Sequence, residues 1–566
     1  MAVPWDVLVV GGGATGAGVL RDLALRGLRT LMIDKADLGS GTSGRYHGLL
    51  HSGGRYVVSD PIAARECIRE NRVLRRIAAP TIEDTGGYFV ATPDDPDDFV
   101  DEFSGVCAAS GVDCEEVDAG WLLAREPALN PRVRRAFRVP DGTLEPWKLI
   151  EMNVAAARRL GSDALPYRQL VGFERSGSRL MAARVLDVRS GSVERIAVRF
   201  VVSAAGAWAG RVAEMAGAAL KMSPGKGTML VFNQRMTDSV INRCHRPADG
   251  DIMCPVGTVA ILGTTEIEVD DPDEYEVTHA EVGELLDLGE RLFPDLRRMR
   301  LLRAYAGVRP LYDVGEGHHS GSRDITRSHA VLDHATRDGI DNFVSIVGGK
   351  LTTYRLMAEQ TVDLVADKLG VATACATADQ PLPDAVPRRY HTLGARLAEH
   401  EATGGGDADL ICECELVTGA ALGQFLDENW PCSLDDVRRG TRLGMGPCQG
   451  GFCTFRAAGM VAERAASSPA GAVPTGLGGG SDVAAVTDRA LADFLRERHK
   501  GTRPIAYGRQ LQEWAMTSGI QWGTLGAGSL VPFTDTAAVR GSDRERGKQT
   551  GTRGARHAAT SGNART

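Results

Sequence analysis

The stretch Val7–Gly18, VLVVGGGATGAG, constrains the fold of this chain more than any other. Four apolar residues, Val7–Val10, predict a short buried strand, and glycines follow at once. Gly11, Gly13 and Gly16 fit the spacing G-x-G-x-x-G. A helical pattern runs from Val19 to Leu28, with a stop at Arg26-Gly27, and a second strand, Arg29–Ile33, closes on Asp34. Strand, glycine turn, helix, strand and acid in this order predict a dinucleotide-binding unit. Gly11 allows the tight turn, Gly13 lets the backbone approach a pyrophosphate, and Gly16 lets helix and strand pack closely. The helix N-terminus offers unpaired N–H groups to phosphates. Asp34 stands where it can accept from ribose hydroxyls, which favours FAD or NAD over NADP. The unit lies at the extreme amino end of a long chain, and that leans toward FAD.

At 566 residues the chain is expected to hold several domains, and 43% hydrophobic residues suffice for large cores. A net charge of −8 argues against nucleic acid as a partner. No apolar run is long enough to span a bilayer, and MAVPWDVLVV has no basic region of the signal-peptide kind. Of the 11 cysteines, six are scattered, which fits a reducing cytoplasm.

After Asp34 comes a loop rich in Gly, Ser and Thr that carries Arg45, His47, His51, Arg55 and Tyr56. Its small residues let backbone N–H groups approach a flavin, and Thr42 and Ser43 add hydroxyl donors. Asp60 caps a helix with Pro61 at its first position. Arg135–Leu144 reads as strand–turn–strand through Asp141-Gly142. VRFVVSAAGAWAG predicts a second flavin-facing segment, with Gly206 letting the chain pass close to the cofactor. Residues 220–310 carry β-type runs around one acidic helix, Thr278–Phe293, and read as a sheet that carries the substrate. Phe343–Val347 is a strand, Gly348-Gly349 a turn, and Lys350 opens a long helix whose N-terminus suits a developing negative charge. Beyond about Arg540 the chain is nearly free of apolar residues and is expected to be disordered.

Five cysteines crowd into residues 412–453. Cys412-x-Cys414 and Cys448-x4-Cys453 form two close pairs that suit zinc or an iron–sulfur cluster, and the glycines beside the second pair favour a cluster. Cys432 is off-pattern and reads as a small hydrophobe.

Seven stretches, GGGATGAG, HGLLHSGGRY, NRCHRP, LRAYAGVRPL, VGGKLTTYRLMAE, CECE and GMGPCQGGFC, resemble the FAD-dependent glycerol-3-phosphate dehydrogenases in their anaerobic large-subunit branch. The resemblance runs from Val7 to about Tyr507. It implies an α/β plus α+β protein. Residues 1–375 would be an oxidoreductase domain, with Rossmann-type FAD-binding segments of the glutathione-reductase/D-amino-acid-oxidase kind (about 1–80, 145–220 and 320–375). A β-rich substrate cap would take about 81–144 and 221–319. After a linker, 376–410, a small helical module of the bacterioferritin-associated-ferredoxin type, 411–465, would hold one [2Fe-2S] cluster. A second linker, 466–482, a helical region, 483–535, and a disordered tail, 540–566, would complete the chain.

The same resemblance implies oxidation of sn-glycerol 3-phosphate to dihydroxyacetone phosphate. Electrons would pass through companion flavin and iron–sulfur or membrane-anchor subunits to quinone, with the chain peripheral on the cytoplasmic face of the inner membrane. Arg309 and Arg323 match positions that hold the substrate phosphate, and Arg55 and Tyr56 match others that line the pocket. Lys350 adds positive charge, and His51 is the candidate base, because imidazole titrates near working pH; it could equally serve only as a hydrogen-bond partner beside the flavin. Gly349, Lys350 and Leu351 start the helix that faces the reduced ring. Two other readings share the glycine unit: a flavin oxidase of another 2-hydroxy acid or amino acid, and a non-catalytic flavin and iron–sulfur sensor.

Overall fold

The strand Trp5–Val10 lies in the middle of a mixed sheet, with its last four residues sealed from water. The computed structural model describes residues 5–312, 328–383, 397–398, 401–402, 410–468 and 483–519. Thr30–Ile33 pairs with this first strand along one edge and Val193–Ser203 pairs with it along the other, both in parallel. Asp163–Leu165 and Phe343–Gly348 extend the parallel order outward, and His329–Asp333 closes one edge antiparallel. Helices cover both faces, so the strands are continuously apolar rather than alternating. The long strand Val193–Ser203 changes partner halfway. Its first residues pair with the hairpin of Arg168–Ser176 and Arg179–Asp187, and its last join the parallel core.

The helices Ala14–Leu25 and Tyr354–Leu369 cross on one face of this sheet. They approach closely because Gly18 has no side chain; a Cβ there would lie 3.0 Å from both Ala358 Cβ and the Tyr354 ring. Asp60 caps Pro61–Ile77 by accepting from the Ala63 N–H at 3.0 Å, as its sequence predicts.

A second sheet is built on Gly225–Phe232, Leu301–Arg309, Val259–Gly263 and Ile252–Val256. Val240–Arg243, Gly87–Ala91, Arg135–Val139 and Glu115–Val117 continue it. The helix His279–Gly289 packs on this sheet, started by a Thr278–Glu281 capping box. Asp141-Gly142 does not make the hairpin that the sequence suggests. Arg135–Val139 joins the second sheet, whereas Gly142–Leu144 pairs with Leu49–Leu50 and Ile82–Glu83. Asp141 is buried instead, accepting from the Ser52 N–H at 2.6 Å and from Asn242 Nδ2 at 3.0 Å.

The cysteine-rich segment folds as a short hairpin, Leu410–Cys412 with Val417–Thr418, and three helices, Gly419–Asn429, Leu434–Thr441 and Cys453–Ala466. Cys432 is buried in their apolar core, a packing role. The helix Val483–Thr502 is not a separate region: Ala490 and Phe494 sit in that same core. A segment of this size buries too little apolar surface alone, and this helix adds to it. Contacts divide the chain after Trp514, and of the second unit only residues 515–519 are described. The tail expected to be disordered and Arg323 both lie outside the described residues. Among those described, no helix is long and apolar enough to cross a membrane.

Candidate functional site

A cavity of about 1630 Å³ opens at the C-terminal end of the first strand and continues to the second sheet. Gly11, Gly13, Asp34, Thr42, Ser43, Gly206, Gly349 and Leu351 line it on the side of the parallel sheet. His51, Arg55, Tyr56, Arg246, Arg309 and Lys350 line the other end.

Each fingerprint glycine meets a steric demand. Gly11 has φ +114°, and a Cβ on it would lie 2.4 Å from Ala204 O. A Cβ on Gly16 would lie 1.9 Å from Gly11 O, so only glycine lets the helix start against the turn. Gly16 itself does not line the cavity. Asp34 is partly buried; its carboxylate accepts from the Gly12 N–H at 2.7 Å and the Ala36 N–H at 2.9 Å. Burial pushes its pKa up against those two donors.

Ser43 Oγ accepts from the Ala14 N–H at 3.0 Å, which leaves its own proton to donate. Thr42 differs from the expectation: its hydroxyl already donates to Val308 O at 2.6 Å and fastens the loop to the second sheet. Gly348 and Gly349 both take left-handed conformations, φ +75° and +74°. They turn the chain so that Lys350 and the short 3₁₀ turn Leu351–Thr353 face the cavity ahead of the long helix.

The His51 N–H donates to Thr352 Oγ1 at 3.1 Å, and its carbonyl accepts from Asn71 Nδ2 at 3.0 Å. Its ring stands 5.4 Å from that of Tyr56 and 5.9 Å from that of His47. Burial, and then the charges of His47, Lys350 and Arg55, hold the His51 imidazole well below its usual range. His51 is therefore neutral near pH 7. Burial likewise holds His47 down at about 3, and its Nδ1 accepts from the Leu49 N–H. Arg55 is tied by Asp251 at 2.8 Å and by Ala248 O at 3.1 Å. The ammonium of Lys350 lies 4.7 Å over the Tyr56 ring. Arg309 donates to Thr264 Oγ1 and Thr265 O and lies 3.8 Å from Glu266.

The chain matches the model of FAD-dependent oxidoreductases over residues 6–355. It belongs to that family. One subunit of the anaerobic glycerol-3-phosphate dehydrogenase from Haemophilus influenzae is 38% identical over 561 residues, covering 95% of this chain and 96% of the relative. The same-named subunit from Escherichia coli K12 is 40% identical over 542 residues, covering 92% and 97%. Among solved structures, glycerol-3-phosphate dehydrogenase from Bacillus halodurans complexed with FAD covers 97% of this chain and 95% of that one, with TM-score 0.55 and 20% identity. Glycine oxidase from Geobacillus kaustophilus covers 68% and 99%, with TM-score 0.52 and 20% identity. At that identity both structures establish the fold alone. The cradle suits the family's cofactor: bare glycines, a helix N-terminus and an acid facing inward meet in one large cavity.

Two features of the site escape a reading of the sequence. Arg246 lies in the stretch NRCHRP and reaches the cavity, because Asp251 folds the 244–251 loop by accepting from the Ala248 N–H at 2.9 Å. The 264–276 segment crosses to the parallel sheet, where Asp271 and Asp273 pair with Arg211 and Lys35 at 2.6–2.8 Å.

The thiols of Cys412, Cys414, Cys448 and Cys453 form one hydrogen-bonded group. The Cys453 thiol, and then the N–H groups of Gly444 and Glu415, hold Cys412 below the usual thiol range. Cys453, and then the Gly450 N–H, the Cys414 thiol and the Phe452 N–H, do the same for Cys448. Backbone donors aimed at sulfur stabilise thiolate, the metal-binding form. Among the described residues no group of three or more His, Cys, Asp or Glu is arranged around a single metal ion. The thiols follow one another in the order Cys412, Cys453, Cys448, Cys414, and four cysteines gathered in this way supply the ligand number that a cluster with four Cys ligands requires.

Proposed function

We propose that this chain oxidises sn-glycerol 3-phosphate to dihydroxyacetone phosphate and sends the electrons through a [2Fe-2S] cluster to companion subunits and, by way of them, to membrane quinone. The observation that carries this reading is one cavity that joins a dinucleotide cradle to a cationic chamber around a neutral histidine. The names of the relatives at 38–40% identity support the substrate. FAD, when bound, supplies the hydride acceptor.

Gly11, Gly13, the start of the helix Ala14–Leu25 and Ser43 would take the pyrophosphate. Asp34 would take the adenosine ribose, and Gly206 leaves room beside the ring. The Lys350 ammonium and the N–H groups of Leu351 and Thr352 offer positive potential to negative charge on the ring system; the N–H groups of Gly349, Lys350 and Thr353 hold the turn itself. Within the chamber His51, neutral, accepts the proton of the C2 hydroxyl. Arg55 is held rigid by Asp251 and orients the substrate. Arg309, Arg323 and Tyr56 take the phosphate, a task suited to planar, multidentate guanidinium. Arg246 adds a further cation to that end. Cys412, Cys414, Cys448 and Cys453 would hold the cluster, which supplies one-electron carriage. Attachment to the cytoplasmic face of the inner membrane would run through the partner subunits.

Anaerobic titration of the purified protein with glycerol 3-phosphate tests the reading, followed by flavin absorbance and by cluster EPR. Bleaching by this substrate, and not by lactate or glycine, is the expected result. A bound flavin that ignores glycerol 3-phosphate would end it. Cys448→Ser is expected to lose iron while keeping flavin; unchanged iron content would remove the cluster assignment.

A further inference from the structure

One contact between the cysteine module and the rest of the chain is built on a partly buried guanidinium. Arg442 ends the helix Leu434–Thr441 in a left-handed conformation, φ +65°, which a non-glycine residue adopts at some cost. Its Nη1 donates to Glu145 and its Nε to Glu415 Oε2 at 2.9 Å. Glu145 belongs to the flavin domain, at the N-terminus of the helix Pro146–Arg158. Glu415 follows Cys414 directly, its side chain is 1% exposed, and its N–H donates to the Cys412 sulfur. The hairpin turn Gly257-Thr258 of the second sheet closes over the pair. A Cβ on Gly257 would lie 3.2 Å from Arg442 Nη2, and Thr258 Oγ1 lies 3.4 Å from Glu415 Oε1.

On the flavin side the path is unbroken. Tyr46 lines the cavity and its hydroxyl donates to Leu144 O at 2.5 Å, one residue before Glu145. Tyr46, Leu144, Glu145, Arg442, Glu415 and the cysteine pair are thus linked by hydrogen bonds or peptide bonds alone. A second set of contacts with the module, Asp37 with Arg439 and Tyr167 and Arg189 with Asp436, lies toward the Asp34 end of the cavity instead, and the helix Val483–Thr502 packs on the strand Leu301–Arg309 at Gly501.

We infer that Arg442 is the positioning residue that seats the cysteine cluster at the end of this path, so that substrate electrons leave the cavity past Tyr46 and Glu145. The inference rests on the cluster reading above. Electron tunnelling falls steeply with distance and with gaps in bonding, so loosening this one contact slows transfer without touching substrate chemistry. The balance is simple. Two electrons and a proton would leave the substrate carbon as hydride for the flavin that the cradle would hold, and the hydroxyl proton goes to His51. The electrons would then reach the cluster one at a time and an external one-electron acceptor would remove them, the hydride's proton and the His51 proton being released to water.

The test compares the loaded wild type with Arg442→Gln, Arg442→Lys and Glu145→Gln. Flavin bleaching by glycerol 3-phosphate and reduction of the cluster are followed separately, the second by rapid-freeze EPR. Hydrogen exchange is read at residues 144–146 and 257–258. Arg442→Gln is expected to keep its iron and its bleaching rate, to lose at least tenfold in cluster reduction, and to exchange faster at both segments. Arg442→Lys recovers part of the rate, and Glu145→Gln reproduces the loss from the other side of the contact. Cluster reduction at the wild-type rate in both Gln variants, with iron intact, overturns the inference alone. A wild type with no cluster signal overturns it together with the cluster reading.

Discussion

Arg355 Nε and Nη2 donate to the two carboxylate oxygens of Glu70 at 2.7 and 2.6 Å, and neither side chain is more than 2% exposed. This bidentate pair ties the helix behind the Lys350 turn to the helix Pro61–Ile77, which follows the His51–Tyr56 segment. It therefore fixes the distance between two walls of the cavity. Removing one partner strands a buried charge, at a cost of about 3–5 kcal/mol. Arg355→Met and Glu70→Gln are each expected to lose that much in urea denaturation. The double variant Glu70→Leu/Arg355→Met is expected to lose less than either single change, because no fully buried charge is left unpaired; Glu359, which also pairs with Arg355 at 2.7 Å, is partly exposed and can be solvated. A double variant as unstable as the sum of the singles would mean that the ion pair itself, rather than its matching, carries the stability.

Gly16→Ala tests the cradle. The added methyl would stand 1.9 Å from Gly11 O, far inside van der Waals contact with a backbone that cannot retreat. The turn must open, and the Gly13 N–H and the start of the helix are then displaced from the cradle, while the Gly11 N–H, which donates to Ile33 O at 2.8 Å, loses its place beside the second strand. The expected outcome is a folded chain purified without yellow colour, read as flavin absorbance per protein with near-normal circular dichroism. Full flavin occupancy would show that the turn tolerates the shift.

His51 makes a prediction about pH. Because its folded-state pKa is depressed, the free protein carries the neutral, proton-accepting imidazole at and below the ordinary histidine value of about 6.5. On its account kcat/KM for glycerol 3-phosphate stays level as pH falls through 6.5, and the acid limb lies lower. A bound dianion favours the imidazolium, so the acid limb of kcat lies above that of kcat/KM. His51→Asn is expected to lower kcat by about 10²–10⁴. A kcat/KM limb centred at or above 6.5, kept in the Asn variant, would assign the proton to another group.

What the sequence makes legible here is what depends on near neighbours. The glycine spacing, the Asp60 cap and the Gly348-Gly349 turn each meet a steric or hydrogen-bonding need within a few residues, and they stand where their chemistry predicts. What stays hidden depends on partners far away in the chain. Nothing local marks Asp273 as the partner of Lys35, 238 residues earlier, or Arg442 as the partner of Glu145. Thr42 looks like a donor for the flavin until its hydroxyl is seen to donate to Val308 O, on a distant strand. The helix Val483–Thr502 reads as independent because a linker precedes it, yet the core it completes is that of the cysteine module.

His334, Asp338 and Ser345 form a Ser–His–Asp arrangement, with Nδ1 2.5 Å from Asp338 Oδ2 and Nε2 2.8 Å from Ser345 Oγ. His334 and Ser345 are fully buried and the imidazole stacks on Phe343 at 4.4 Å, so no substrate reaches the serine. The arrangement is structural and has a pH signature. Burial lowers the His334 pKa despite Asp338, so the unfolded chain takes up its proton first as pH falls below about 6.5. The stability from this site is fully present above that value and is lost on acidification. His334→Gln is expected to be less stable at pH 8 and to lose less than the wild type between pH 7 and pH 5.5, read as Tm. Equal slopes in the two proteins would remove His334 from the acid response.

Among the described arginines that line the cavity, Arg246 stands apart. Arg55, Arg309, Arg45, Arg168 and Arg211 each hold a protein acceptor, whereas Arg246 makes no ion pair or hydrogen bond with the described residues and faces the same chamber. Its backbone is held by Pro247, which restricts the preceding residue to extended conformations, and by the Asp251-centred loop. A cation on a rigid stem with five unspent donors suits a phosphate dianion arriving from solvent. Hydrogen bonds to a charged group contribute about 1.5–3 kcal/mol, and each 1.4 kcal/mol is tenfold in affinity. Arg246→Met is therefore expected to raise KM for glycerol 3-phosphate by about tenfold or more with a smaller change in kcat, and to weaken inhibition by inorganic phosphate in parallel. An unchanged phosphate inhibition constant would place Arg246 outside the phosphate contacts, whatever its effect on turnover.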